Sequence, residues 1–349
     1  MKALFKCELH YFPSLHLCQV YDGFEKLRKL GIIDLKVVQA SGDATIPVAK
    51  VIIDNKYTVI YDTLDGFNWI SDSIPENLNY FKSQIRADYY FKRSFNESLL
   101  EFAPKDCNIY PLGLNIGLQP ESSFKKGFKE SFKDFIKGNY LVSKFYKKTA
   151  FYSNDFEFYP IANKNNKVLF ITRLWDSENV SLEHLKSERE QINKDRVDCI
   201  NVCKKEFGDR FTGGLQENPF TLKYAKELII PNTLTNRQIF LKTIREHNIC
   251  IATAGLHGSI GWKFGEYVAA SRAIISEPLE YAAPGEFKNN KNYFTFKNKE
   301  ELLAQTHSLL KNRDLLNQTM RANYQYYHNF MRPDKMILNT LLKLYEDLI

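Results

Sequence analysis

The stretch from Gly255 to Pro278 concentrates the side chains of this sequence that suit a phosphorylated ligand. An apolar run, Ile249 to Ala252, leads into Ala254-Gly255-Leu256-His257-Gly258-Ser259-Ile260-Gly261-Trp262-Lys263-Phe264-Gly265-Glu266. A second apolar run, Ala273-Ile274-Ile275-Ser276, follows before Glu277-Pro278. Four glycines let a backbone approach a diphosphate, and the start of a helix offers unpaired N–H groups and the positive end of its dipole. Lys263 and His257 add charge or donors, and Glu266, one turn into the helix, can accept hydrogen bonds from ribose hydroxyls. The plainer reading of each residue alone is a tight turn for the glycines and a solvated Glu266. Strand, glycine loop, lysine, glutamate, helix and strand together predict a nucleotide-sugar site.

The other half of the chain offers acids, bases and cations where strands are expected to end. His10 follows the first strand, Asp62 and Asp65 lie in Tyr61-Asp62-Thr63-Leu64-Asp65-Gly66, and Lys92 and Arg93 follow Asp88 to Phe91. An inverting group transfer needs a carboxylate or imidazole to take a hydroxyl proton, and Asp65 or His10 suits that task. Against this, Asp62 or Asp65 would cap a turn. Lys92 and Arg93 suit an acidic acceptor or a phosphate, or else a solvated face.

The pattern around these residues is alternating α/β. Leu4 to Leu9 reads as a strand, Val20 to Leu30 as an amphipathic helix stopped by Gly31, and Ile33 to Val38 as a second strand. Short strands follow at Val51 to Asp54, Tyr57 to Tyr61, Asp88 to Phe91 and Asn108 to Leu112. A turn-rich joint ends in Asn163-Lys164-Asn165-Asn166-Lys167, and Val168 to Arg173 opens a new half. A long charged helix from about Leu182 to Phe207, a helix over Asn236 to Glu246 and a helical end from Lys299 complete the chain, with Pro333 marking a break. The chain is too long, at 349 residues, for one ordinary core.

The segment Glu266-Tyr267-Val268-Ala269 with Ala273-Ile274-Ile275-Ser276 resembles the donor-binding element of GT-B glycosyltransferases, in the broad group of GT4-like enzymes. The resemblance implies an α/β protein of two Rossmann-like doubly wound domains, with a C-terminal helix crossing back to the first. It divides the chain into an acceptor domain (1–160), a nucleotide-sugar domain (161–330) and the returning helix (331–349). It also implies a ribose-binding role for Glu266 and a donor role for Arg173, at the end of the second domain's first strand. With these go Gly255, His257, Gly258, Ser259 and Lys263 as donor-binding residues. The sequence departs from the GT4 pattern twice. Gly258 stands where that group has a first Glu, and no Lys follows Arg173 between Asp176 and Val180, so that Lys263 is the candidate for the missing charge.

Composition narrows the rest. Apolar residues make up 44% and charged residues 26%, which is globular rather than disordered. The net charge of +7 comes without a nucleic-acid-binding signature, so a nucleotide diphosphate or an anionic membrane surface is the expected anion and nucleic acid is not. Six cysteines without CxxC spacing and an N-terminus without a signal-peptide pattern predict a cytoplasmic protein. No Asp-x-Asp triplet or zinc spacing occurs, so neither metal nor cofactor is expected and cationic side chains are expected to neutralise the leaving group. Between Ser122 and Ala150, eight lysines outnumber Glu130 and Asp134, with Phe124, Phe128, Phe132 and Phe135 at helical spacing. That pattern suits peripheral contact with an anionic membrane, or an ordinary surface helix with a phenylalanine stripe in the core. Taken with these features, the function that the GT-B resemblance implies is sugar transfer from a nucleotide-sugar to a saccharide or lipid-linked glycan, in bacterial surface polysaccharide synthesis. The alternatives are a GT-B-fold UDP-sugar epimerase, which needs no acceptor, and a non-catalytic two-domain binding protein.

Overall fold

The computed structural model describes residues 3–40, 46–120 and 150–347, so the lysine-rich stretch read at 122–150 lies almost wholly outside the described residues. The chain divides into two compact units, one of Met1–Asp155, Tyr281–Gly285 and His328–Ile349, the other of Phe156–Glu280 and Glu286–Tyr327. Both are α/β, with sheets in which parallel pairs dominate, as in Rossmann-like domains.

The first unit carries β1 (Phe5–Tyr11), β2 (Ile33–Gln39), β3 (Val48–Ile53), β4 (Tyr57–Asp62), β5 (Tyr89–Lys92) and β6 (Asn108–Pro111), in the sheet order β2-β1-β3-β4-β5-β6. Phe5, Cys7 and Leu9 alternate inward on β1, while Glu8 and His10 share the opposite face. Helix α1 (Cys18–Lys29) covers the sheet with Val20, Tyr21, Phe24 and Leu27, and α2 (Ile74–Gln84) buries Phe81. One strand departs from the doubly wound expectation: β3 runs antiparallel to both β1 and β4. Its turn into β4 explains this, because Asp54 and Asn55 both take positive φ (52° and 54°). Two consecutive left-handed residues make the tight hairpin connection whose twist matches the strands. The remaining pairs, β1 with β2, β4 with β5 and β5 with β6, are parallel.

The second unit is parallel throughout its ladder: β7 (Val168–Thr172), β8 (Phe211–Leu215), β9 (Ile249–Ala252), β10 (Ala273–Ser276) and β11 (Tyr293–Thr295) lie in the order β11-β10-β9-β7-β8. Strands β7, β9 and β10 are buried at every position, which is why they read as continuous apolar runs. Between the strands run α3 (Glu183–Phe207), α4 (Arg237–Glu246) and α5 (Trp262–Ala269), with α6 (Lys299–Lys311) and α7 (Arg313–Tyr326) after β11. The order reverses direction between β7 and β9. Open parallel sheets hold ligands outside the carboxyl ends of their strands at such a reversal, and here Arg173 and the glycine loop leave the sheet on either side of it.

The chain then returns to the first unit. Helix α8 (Pro333–Glu346) places Met336, Ile337, Leu341 and Leu344 in the same core as α1 and β1. Gly23 of α1 permits the approach, since a Cβ there would come within 2.5 Å of Ile337 Cγ1. Gln19 Nε2 donates to the Met331 carbonyl at 2.8 Å, and Tyr61 Oη and Thr340 Oγ1 are hydrogen-bonded at 2.8 Å. The returning helix expected from the sequence is therefore part of the first unit's core.

Candidate functional site

At the reversal point of the second unit, the loop after β9 makes a compact hook. Gly255 N donates to the Ser259 carbonyl at 2.8 Å, and Ser259 N to the Leu256 carbonyl at 3.1 Å. His257 and Gly258 are both left-handed, at φ 59° and 64°. For His257 that backbone costs about 1 kcal/mol. Gly258 meets the position requirement directly, because a Cβ there would run into the Glu280 carboxylate. A depression opens beside the hook, lined by Thr253, Gly258, Ser259, Gly261, Ser276 and Glu277. Gly261 then caps α5.

Two of the loop's amides are already engaged by acids. Ala254 N donates to Glu277 Oε2 at 2.6 Å, and His257 N to Glu188 Oε1 at 2.5 Å. The glycine loop was expected to offer such N–H groups to a diphosphate. Carboxylates hold these two, so the positive charge of the site comes chiefly from side chains.

Those side chains converge on Lys263. Its ammonium donates to the Ile171 carbonyl of β7 at 2.7 Å, two residues before Arg173. Burial pushes Lys263 down to about 8, with Arg196, Arg173 and Arg237 adding repulsion and Glu266 opposing them. Arg173 lays its guanidinium over the Trp175 ring, 3.9 Å from the centroid. Arg196 pins the two strand ends together by donating to the Arg173 carbonyl at 2.7 Å, the Ala254 carbonyl at 3.0 Å and Thr253 Oγ1 at 3.1 Å. Burial lowers it to about 10.

Glu266, the predicted ribose ligand, is 1% exposed. Arg237 Nη2 lies 2.7 Å from its Oε1. Burial raises the Glu266 carboxyl above the usual range, while Arg237 and Lys263 pull it back. Its Oε2 is buried and receives no hydrogen bond from the described residues. The structure thus brings Arg173, Lys263 and Glu266 into one electrostatic cluster, places Gly255, His257, Gly258 and Ser259 in the adjoining hook, and adds Arg196 and Arg237. Sequence reading missed both arginines: Arg196 sits in a long helix among many other charges, and Arg237 opens a helix with nothing local to mark it as a partner of Glu266. Only their position within three residues of an apolar helical stripe hinted at burial.

In the first unit, Asp62 is an interior residue. It accepts from Trp69 Nε1 at 2.8 Å, Tyr90 Oη at 2.5 Å, Lys92 Nζ at 3.2 Å and its near neighbour Leu64 N at 2.8 Å. Lys92 and Asp62 are both 0% exposed, and burial lowers the Lys92 ammonium. The reading of Lys92 as an acceptor-binding cation is corrected: its ammonium serves Asp62 and the Leu64 carbonyl, at 2.7 Å, inside the core. Arg93 pairs with Asp65, whose side chain is 38% exposed, and Asp65 and Arg93 both act electrostatically on His16. Burial is the main reason the His16 imidazole is lowered. His10 stands apart from this group in its contacts, with Nε2 3.3 Å from Glu8 Oε1 on the other face of β1. Among the described residues no group of three or more metal-ligating side chains is gathered, and no helix is long and apolar enough to cross a membrane.

No protein-family model and no curated protein sequence matches this chain. Solved structures do. HepE of Anabaena, in complex with UDP and glucose, is 12% identical over 94% of each chain, with a TM-score of 0.44. A glycosyltransferase from Rickettsia africae is 14% identical over 93% of this chain and 87% of that one, at 0.38. The C-terminal domain of a group 1 family glycosyl transferase, LpcC from Francisella tularensis, is 16% identical over 50% of this chain and 95% of that one, at 0.34. At these scores the functional reading rests on the residues themselves.

Proposed function

We propose that this chain is a GT-B glycosyltransferase that moves a sugar from a nucleotide-sugar to a saccharide or lipid-linked glycan. The observation that carries the reading is the cluster at the reversal point of a parallel sheet in which Lys263 and Arg237 act on buried Glu266 and Arg173 acts on Lys263. Lys263 and Arg173 neutralise the diphosphate as charge develops on the leaving group, without a metal ion. Glu266 accepts the ribose hydroxyls. The hook of Gly255, His257, Gly258 and Ser259 borders the donor.

In the first unit, Asp65 is the proposed base, held by Arg93 and left partly open to solvent. The proton of the acceptor hydroxyl passes to its carboxylate. The hydroxyl oxygen bonds to the anomeric carbon, and the nucleoside diphosphate leaves with the bonding pair. A cytoplasmic location, peripheral to a membrane and serving bacterial surface polysaccharide synthesis, fits a lipid-linked acceptor and the lysine-rich stretch at 122–150.

A thermal-shift screen over UDP, GDP, CMP and dTDP with their sugars tests the proposal. A ligand that binds only the folded chain raises its melting temperature, and one base is expected to stand out. A flat response to every nucleotide and nucleotide-sugar removes the reading.

A further inference from the structure

We propose that Arg237 is a positioning residue that sets a preference for ribonucleotides by holding Glu266 as a carboxylate anion aimed at a ribose cis-diol. The proposal rests on the nucleotide reading above and adds a residue and a specificity to it.

A ribose 2′,3′-diol presents two O–H donors side by side. An ionised carboxylate can accept both, whereas a protonated carboxyl is itself a donor and has lost part of its accepting capacity. A buried carboxyl drifts toward the protonated form unless a cation opposes the cost of burial. Glu266 is in that position, at 1% exposure, with Oε2 buried and receiving no hydrogen bond from the described residues. Arg237 supplies the nearest cation, 2.7 Å from Oε1, and its side chain is 31% exposed. Arg237 is well placed to hold this geometry. It is the first residue of α4, whose cap, Asn236, accepts from the amides of Gln238 and Ile239. Its guanidinium also lies over the Phe156 ring, 5.1 Å from the centroid.

The other charged or titratable groups acting here are Lys263 and Tyr267 on α5 itself, with Arg173 from the end of β7 and Arg196 from α3 acting on Lys263. Burial holds Lys263 down to about 8, and in the proposed complex it faces the phosphates. Its direct attraction for the phosphates is the same for a ribonucleotide and its 2′-deoxy counterpart and cancels in the ratio of their affinities, while its pull on Glu266 is constant below about pH 8, so the ratio there reports on Glu266 and Arg237.

The test is calorimetric titration of the full chain with UDP, GDP, ADP and CDP, each against its 2′-deoxy counterpart, from pH 5.5 to 9. The wild type is expected to prefer the ribose form of the nucleotide it binds by about tenfold at pH 7.5, the loss of one hydrogen bond to a charged group. That preference should shrink as the pH falls. In Arg237→Met the preference collapses at pH 7.5 and returns only at higher pH, while Arg237→Lys keeps a profile close to wild type. Should Arg237→Met fail to fold, Arg237→Gln carries the same expectation. A variant that keeps the wild-type ratio at every pH, or weakens ribose and deoxyribose forms equally, overturns the proposal and leaves the nucleotide site standing. A wild type that binds none of the eight nucleotides overturns the nucleotide reading itself.

Discussion

The Lys263 ammonium reaches back from α5 to the carbonyl of Ile171 on β7, at 2.7 Å. This contact joins the helix after the glycine loop to the strand that ends at Arg173. It places a cation beside Arg173 although the sequence following Arg173 contains none until Lys186.

Lys263→Met should weaken binding of the nucleoside diphosphate by about tenfold to a hundredfold, the range for hydrogen bonds to charged groups. Titration calorimetry measures this directly. The variant's fold should survive, because a methionine fills the stem's place without a charge to desolvate.

Binding should also depend on pH through the same residue. Phosphate favours the ammonium form, so affinity is level below about pH 8 and falls as Lys263 deprotonates above it. Stability moves the other way. The folded chain holds this proton less tightly than a free lysine at about 10.4. Between these values the unfolded chain binds more protons, and stability contributed by this group rises with pH. In Lys263→Met the affinity should lose that decline. Affinities at pH 7, 8 and 9 for both proteins decide it.

Much of this arrangement is legible in the sequence. The apolar runs of β7, β9 and β10 are continuous because both faces are covered, and glycines mark the loop between them. Arg173, Lys263 and Glu266 stand out as charges at the edges of such runs. Other parts are hidden by sequence distance. Lys92 looks like a surface cation until Asp62, thirty residues away, is brought against it. Arg196 lies in a 25-residue charged helix and finds its partners at Arg173, Thr253 and Ala254. Glu188 and Glu277 occupy loop amides from different elements, which no local pattern announces. The antiparallel β3 was obscured because its turn residue, Asp54, reads as the end of a strand.

Glu266→Ala should weaken nucleotide-sugar binding while leaving the sheet intact. Loss of the ribose contacts is expected to cost about tenfold or more in affinity. Unchanged affinity in a folded variant would remove Glu266 from the ribose role.

Asp65→Asn should abolish transfer and spare donor binding, since the amide keeps the shape but cannot take a proton. Normal turnover in this variant would exclude Asp65 as the base. Arg93 would then be holding a turn rather than a catalyst.

The C-terminal helix offers a test of the fold. Gly23→Ala adds a Cβ where Ile337 and the Pro333 backbone already sit. The first unit should lose about 1–3 kcal/mol, the usual range for overpacking. Urea denaturation followed by near-ultraviolet signals from the aromatic core reads the loss.

The most direct measurement is titration of wild type and Lys263→Met with the nucleotide-sugar that most stabilises the wild type. The expected result is saturable one-site binding to the wild type and at least tenfold weaker binding to the variant, about 1.4 kcal/mol or more. Equal affinity for both proteins would contradict a donor site built around Lys263, Arg173 and Glu266.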